Sequence, residues 1–460
     1  MNAASDRLIA PAVEAEARPH TWCGVAFGRR VLLLLGAGLF WSLPAFFDLR
    51  LIWAMLAWDA LVLLAWAIDL AQVFRARPLV VERRWIAPAA LSVESFVTLV
   101  LRNGSATLVH VGIVDAVPSM LRGAPPLVTM TVRPRGQASA SYSIRPTARG
   151  DVPIGDAFLR CQGPLRLAER WLRAALPQMV RVYPNLEEAK RQSVYLVRSR
   201  QIALEKRHMR VRGAGREFES LREYREGDEF RDICWTAAAR RGKLVTRTYQ
   251  VERSQTVWLV IDTGRLMRAR VGHLTKLDYA VNAALGLSQV ALASGDRVGL
   301  LAYGREIRNR IPAARGSAHL RNLMAELATV REETGEADHL QAAGRLLSDQ
   351  KRRSLIVWLT DLAETAMTPE VIDAASGMMP RHLVLFVVIG QPDMRELAAR
   401  NPENETAMFQ AAAAQEVLQR RDLLLARLRD RGLLALEADS ATLSPTLVNS
   451  YLSVKARNQL

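Results

Sequence analysis

Cysteine is scarce in this chain: three residues in 460, Cys23, Cys161 and Cys234, odd in number and far apart. That excludes a disulfide framework and a CxxC metal knuckle, and it suits a reducing compartment. Histidine is also rare, with seven unclustered residues and no HExxH pair, so zinc-protease chemistry lacks its ligands. No serine elbow occurs either. Acidic residues fall short of basic ones, 46 against 62, for a net charge of +16. Arginine is spread along the chain instead of interleaving with aromatics, and no recognition module can be read. Nucleic acid is therefore not an expected partner.

Three near-motifs fail on particular residues. "GAGREF" follows the basic run "EKRHMRVR" instead of a strand and has Phe218 in place of the third glycine of a dinucleotide fingerprint. "RRGKL" lacks the upstream glycine of a phosphate loop and puts Leu244 where a hydroxyl must meet magnesium. Cys234-Trp235 has no partnering histidine in evidence, so a buried structural thiol is expected. With these set aside, no catalytic motif is left and the chain is not expected to be an enzyme.

Two long apolar runs stand near the front. "VLLLLGAGLFWSLPAFF" (Val31–Phe47) carries no charge, and "LIWAMLAWDALVLLAWAI" (Leu51–Ile68) carries only Asp59. At about 1.5 Å per residue each crosses, or nearly crosses, a hydrocarbon core of roughly 30 Å. Their three-residue connection predicts a transmembrane helical hairpin over 31–74, with Trp41, Trp53, Trp58 and Trp66 supplying interfacial aromatics. Arg29 and Arg30 before it, and Arg75, Arg77, Arg83 and Arg84 after it, put both flanks in the cytoplasm by the positive-inside rule. The expected location is thus a bacterial inner membrane with the soluble parts facing the cytoplasm. Asp59 reads either as a neutral acid against the other helix or as a proton or partner site. Residues 1–30 read as a cytoplasmic tail, polar and loose at least to about His20.

From 78 to 177 short alternating segments such as "ESFVTLVLR" and "TLVHVGIVD" predict a small antiparallel β-sandwich, with Asn103-Gly104 as a hairpin-type turn. From 255 to 460 strand and helix patterns alternate. Continuous apolar runs such as "TVWLVID", "LIVWLTD" and "LVLFVVIG" predict a doubly wound α/β domain, its parallel sheet covered by helices on both faces.

Between them, 178–254 holds a connecting segment and a dense block of charge. The run Glu217-Phe218, Leu221-Arg222-Glu223-Tyr224, Gly227-Asp228, Arg231, Ile233, Trp235, Ala239-Arg240-Arg241 and Leu244 continues into "ERSQTVWLVIDTGRLM". It resembles the signature of the bacterial domain-of-unknown-function family 58. "RPTARGDVPIGDAFLR" and "TLVNSYLSVKAR" carry the resemblance over nearly the whole chain. The resemblance implies a membrane hairpin, a β-rich region and a C-terminal von Willebrand A-like domain, and it implies partnership with a MoxR-type AAA+ ATPase. Glu217, Arg222, Tyr224, Gly227, Asp228, Arg231, Trp235, Arg240 and Arg241 are the signature residues it marks for interaction.

Asp262 and Asp361 end two of the apolar strands, at the sheet edge where open α/β sheets place ligands. In an A domain that edge carries an Asp-x-Ser-x-Ser loop that binds magnesium. Here Gly264 and Leu266 stand where the serines belong, and Thr334 or Asp338 is offered for the remaining oxygen. Two missing hydroxyls are severe for a cation that demands near-octahedral oxygens. The expectation is no cofactor, with Asp262 and Asp361 bonding backbone N–H groups or pairing with Arg265; magnesium at a degenerate site of Asp262, Gly264, Leu266 and Asp361 is the less favoured reading. The functional expectation is a non-catalytic membrane-anchored adaptor for protein partners, an ATPase and an unknown client among them. A hydrolase using the 213–254 block is the alternative, and a membrane-proximal nucleic-acid binder a weaker one.

Overall fold

The computed structural model describes residues 8–19, 24–41, 51–75, 78–185, 217–225, 230, 233–250, 255–361 and 369–457. Two compact units divide the chain, residues 1–185 and 186–460.

The first unit is β-rich. β1 (Val13–Pro19) and β2 (Val25–Phe27) precede helices α1 (Arg29–Gly38) and α2 (Leu51–Arg75). β3 (Leu79–Trp85), β4 (Ser95–Asn103), β5 (Val109–Asp115), β6 (Leu127–Val132), β7 (Gln137–Ile144), β8 (Gly150–Ile154), β9 (Ala157–Gln162), β10 (Ala168–Ala174) and β11 (Gln178–Val182) follow. The main sheet runs β6-β5-β9-β10-β1-β3-β4-β7, with β2 on β10, while β8 pairs with β11. Alternate residues point inward, as in β5, so that Val81, Leu99, Leu101, Ile113 and Leu159 form one core.

Three sequence expectations change here. Residues 13–19 are no loose tail: Val13 pairs with Arg83 of β3 and Ala17 with Ala174 of β10. Val13, Ala15 and Ala17 do alternate with charged residues, but alanine is a weak strand former and the signal is faint. Asn103-Gly104 makes no hairpin, because β4 pairs with β3 and β7 while β5 pairs with β6 and β9. The Asn103 amide instead donates to the carbonyls of Thr107 and Arg133, at 2.8 and 3.2 Å, and so turns a corner between strands that do not pair. Arg83 is no flank charge. It is fully buried and paired with Asp115, and Arg84 is paired with Glu82.

Ile52–Phe74 of α2 is long and apolar enough to cross a membrane, with mean hydropathy 1.8. α1 and a 3-10 turn to Trp41 cover the start of the other apolar run; residues 42–47 lie outside the described residues. The two helices touch: Trp58 Nε1 donates to the Leu34 carbonyl at 2.9 Å, and Val31 packs in a cluster with Val62. Asp59 faces α1, where a Cβ on Gly38 would stand 2.6 Å from its Oδ1. At the other end of α2, buried Asp69 accepts from the backbone N–H groups of Leu165, Leu167 and Ala168 at 3.1, 2.9 and 3.0 Å. Gly163 is required beside it, since a Cβ there would fall 2.2 Å from Asp69 Oδ1.

In the second unit β12 (Glu217–Glu223) pairs antiparallel with β13 (Val245–Gln250), and α3 (Trp235–Arg241) lies between them in sequence. The α/β domain follows with β14 (Thr256–Asp262), the short pair β15 (Arg270–Val271) and β16 (Leu274–Thr275), then α4 (Lys276–Ala293), β17 (Arg297–Tyr303) and β18 (Ile307–Ala314). Next come α5 (Gly316–Thr329), α6 (His339–Asp349), β19 (Leu355–Thr360), α7 (Pro369–Met378), β20 (Leu383–Gly390), α8 (Pro392–Ala399), α9 (Glu405–Asp430), β21 (Leu434–Asp439) and α10 (Leu443–Ala456). The sheet order is β18-β17-β14-β19-β20-β21, parallel except for β18.

β14 is buried on both faces, which is why its apolar run is unbroken. Trp258 and Val260 join Trp358 and Phe386 under α6, α7 and α9. α4 packs on the sheet with α5 and α10 beside it. The expected doubly wound arrangement is present. The antiparallel edge β18 was not expected: "IRNRIPAA" mixes two arginines and a proline into half-buried alternation, a composition suited to an edge strand.

Candidate functional site

β14 and β19 are neighbours and parallel, so Asp262 and Asp361 arrive at the same edge of the sheet. Both are buried. Asp262 Oδ1 accepts from the Gly264 N–H at 2.7 Å, and Oδ2 accepts from the Thr360 hydroxyl at 2.5 Å. The loop after it is laced to residues 333–338. Glu333 N–H donates to the Thr263 carbonyl at 2.7 Å, and Arg265 N–H donates to the Gly335 carbonyl at 2.8 Å. Gly264 is closely packed there: a Cβ would stand 3.0 Å from both Ala337 N and Asp262 Oδ1. Leu266 lies half-buried in the following 3-10 turn, Arg265–Arg268.

Asp361 is held by two buried cations. Lys276 Nζ donates to its Oδ2, and Arg421 Nη2 donates to its Oδ1 at 2.7 Å. Arg421 Nη1 continues to Glu437 Oε1 at 2.9 Å, and Arg395 joins Glu437 to Asp439 at 2.9 and 3.1 Å. Lys276 and Arg421 are both fully buried. Burial pulls the Lys276 ammonium below its usual range, and the Asp361 carboxylate works against that pull. Arg265, the partner expected from sequence, has Glu336 at 3.7 Å. Thr334 is exposed, and Asp338 caps α6 by accepting from Gln341 N–H at 2.8 Å.

Behind Asp262 lies a buried aromatic group. Trp358 Nε1 donates to the Tyr303 hydroxyl at 2.5 Å, and Tyr303 lies 2.8 Å from His339 Nδ1. Tryptophan can only donate, so the Tyr303 hydroxyl accepts from Trp358, which leaves its own proton free to be donated to His339 Nδ1 where that nitrogen is unprotonated. Burial holds the imidazole down at about 4, and it is neutral at physiological pH.

Burial raises Asp262 to about 6, partly offset by the Thr360 and Gly264 hydrogen bonds. A carboxyl whose folded pKa lies above its unfolded value adds stability below about pH 4 that is lost as pH rises through 6. Relative to an ordinary carboxyl at 3.8, that is on the order of 3 kcal/mol at neutral pH. The slope of stability between pH 4 and 7 is expected to flatten in Asp262→Asn, read by hydrogen exchange of β14.

These donors do not fit a hard divalent cation. Gly264 and Leu266 offer no side-chain oxygen, both oxygens of Asp262 already accept, and both oxygens of Asp361 face cationic groups. Sequence reading missed Lys276, Thr360, Arg421 and Glu437. Two signals were available. Lys276 opens a helix, where the macrodipole disfavours a cation. Arg421 falls on the apolar stripe of α9 with Ala414, Leu424, Leu425 and Leu428.

The signature residues are placed on other elements. Glu217 and Arg222 are on β12 and Tyr224 follows it, its N–H donating to the Leu244 carbonyl at 2.9 Å. Trp235 opens α3, 63% exposed, and Arg240 and Arg241 close it before Gly242 in the left-handed conformation. Buried Cys234 precedes the helix, its thiol drawn down to about 7 by hydrogen bonds from Thr236, the Ala237 N–H and Arg247. Gly227, Asp228 and Arg231 lie outside the described residues.

Residues 220–420 match the family described as Protein of unknown function DUF58. An uncharacterized protein of Mycobacterium tuberculosis is 26% identical over 189 residues, 41% of this chain and 59% of that protein. Uncharacterized protein YeaD of Bacillus subtilis is 26% identical over 147 residues, 28% of this chain and 35% of that protein. The chain thus spans less than two thirds of the length of these curated relatives. Among solved structures, BatB of Bacteroides thetaiotaomicron is 13% identical at a TM-score of 0.30, covering 44% of this chain and 100% of that one. The von Willebrand factor domain of the pilus tip protein Mfa5 of Porphyromonas gingivalis is 12% identical at 0.27, covering 45% and 97%. The fold assignment rests on the strand order, and residues 220–420 match the DUF58 family.

Proposed function

We propose that this protein is a membrane-anchored, non-catalytic adaptor that binds protein partners through the C-terminal edge of its A-like sheet. The observation that carries the reading is the state of that edge. Where a doubly wound sheet places its ligand, the described residues of this one form a network of Asp361, Lys276, Arg421 and Glu437, with no nucleophile paired to a base among them. The partner suggested by the family resemblance is a MoxR-type AAA+ ATPase, which would supply any ATP chemistry, together with a client protein. The anchor is α1 with α2 in a bacterial inner membrane, the soluble units facing the cytoplasm.

Pairing of β1 with β3 supports a hairpin, since the strands flanking the two helices lie in one sheet. Epitope tags at the two chain ends are accordingly expected on the same face, both digested by protease in inverted vesicles and both protected in right-side-out ones. Tags on opposite faces would refute the hairpin. For the function itself, the full chain is purified from mildly solubilised membranes. Recovery of a AAA+ ATPase without turnover on ester, peptide or nucleotide substrates supports the adaptor. Turnover that Cys234→Ala abolishes would establish the hydrolase instead.

A further inference from the structure

We propose that the Lys276 ammonium is the resident cation of this sheet edge, occupying the role that a divalent metal has in an A domain of the adhesion type. The inference is independent of which partner the domain carries. Lys276 is the first residue of α4, held there by its own N–H on the Ala269 carbonyl at 2.9 Å and by the Thr275–Asp278 capping box just before it. A cation at a helix N-terminus opposes the macrodipole, and a fully buried one also loses its hydration. Both costs are offset at one place, the Asp361 carboxylate.

The rest of the edge is built around that choice. Arg421 takes the other oxygen of Asp361 from the side of α9, and Glu437 balances Arg421. Asp262 is turned away from cations onto Gly264 N–H and the Thr360 hydroxyl. The loop carrying Ala337 packs closely on Gly264, where a Cβ would stand 3.0 Å from Ala337 N. A metal needs carboxylate and hydroxyl oxygens that are free to turn toward it; among the described residues, both oxygens of Asp262 and both of Asp361 are committed to N–H and O–H donors. The consequence is an edge whose shape is fixed without magnesium.

The test uses the full chain in detergent micelles, with Mn²⁺ as the spectroscopic probe and Mg²⁺ or EDTA in parallel thermal scans. The expected result is no loss of free Mn²⁺ signal attributable to Asp361, and a thermal midpoint of the C-terminal unit that is the same in Mg²⁺ and EDTA. Lys276→Met is expected to lower that midpoint by several degrees in both, and Lys276→Met combined with Asp361→Leu to recover most of the loss. Mn²⁺ retention abolished by Asp361→Asn, or a midpoint raised by Mg²⁺ and lowered by EDTA, would overturn the proposal. So would an unchanged midpoint in Lys276→Met. Should that variant fail to fold, the wild-type metal arms still decide, and Lys276→Arg, which keeps the charge, should fold and stay insensitive to metal.

Discussion

Asp361→Ala is expected to lower the opening free energy of the C-terminal unit by about 3–5 kcal/mol, in magnesium and in EDTA alike. The substitution removes the only carboxylate that Lys276 Nζ contacts through a hydrogen bond among the described residues and one of two that Arg421 contacts. Two cations with no solvent exposure then face each other across the gap. Arginine cannot shed its proton, so Arg421 must be tolerated as a charge or drawn out of the core. The sign of the effect separates two accounts of the edge. If Asp361 were a metal ligand, its loss in EDTA would relieve carboxylate repulsion and stabilise the unit. If it is the counter-ion of a lysine, its loss destabilises whatever the metal. Hydrogen exchange of β14 and β19 amides reads the change within the unit, which suits a chain whose two units need not unfold together.

Arg83→Met is expected to cost the first unit about 3–5 kcal/mol by the same physics in a different core. Arg83 Nε donates to Asp115 Oδ2 at 3.0 Å and Nη2 donates to Oδ1; the guanidinium also donates to the carbonyls of Leu176 and Gly155 at 2.8 and 2.9 Å. Tyr142 donates to the same carboxylate at 2.7 Å, and its phenol is pushed far up by burial and by Asp115. Without Arg83 the fully buried Asp115 keeps, among the described residues, only that hydroxyl as a side-chain donor, and the Leu176 and Gly155 carbonyls lose the guanidinium. The triple replacement Arg83→Met, Asp115→Leu, Tyr142→Phe should recover a large part of the loss, because no charge is then left unpaired. Exchange in β3 and β5 measures both variants. A loss below 1 kcal/mol in Arg83→Met would mean that water reaches Asp115.

Much of the C-terminal domain could be read from sequence because its strands are buried on both faces. "TVWLVID" and "LVLFVVIG" coincide with β14 and β20. Elements with mixed surroundings were harder. β1 hides its pairing behind alanines, and β18 carries its arginines on an exposed edge. Asn103-Gly104 has the composition of a hairpin but sits between strands that do not pair; turn chemistry is local and strand partners are not. At the candidate site, Asp262 and Asp361 were legible as strand-end carboxylates. Lys276 and Arg421 lie 85 and 60 residues from Asp361, so only the fold shows that they meet it. Each had left a local trace, a cation against a helix dipole and a charge on an apolar stripe. Arg83 illustrates the converse: counted by position, it looks like a membrane-flanking charge, and only its burial reveals a core ion pair.

The most direct test of the account is equilibrium binding of a purified MoxR-type AAA+ ATPase to the full chain in nanodiscs. The ATP-binding site of the ATPase is disabled by mutation, so that EDTA strips no nucleotide-bound magnesium from the complex. Equal affinity in magnesium and in EDTA is the predicted result, because the edge carries its own cation. Binding that appears only in magnesium would contradict the metal-free edge, and no binding in either condition would contradict the adaptor itself.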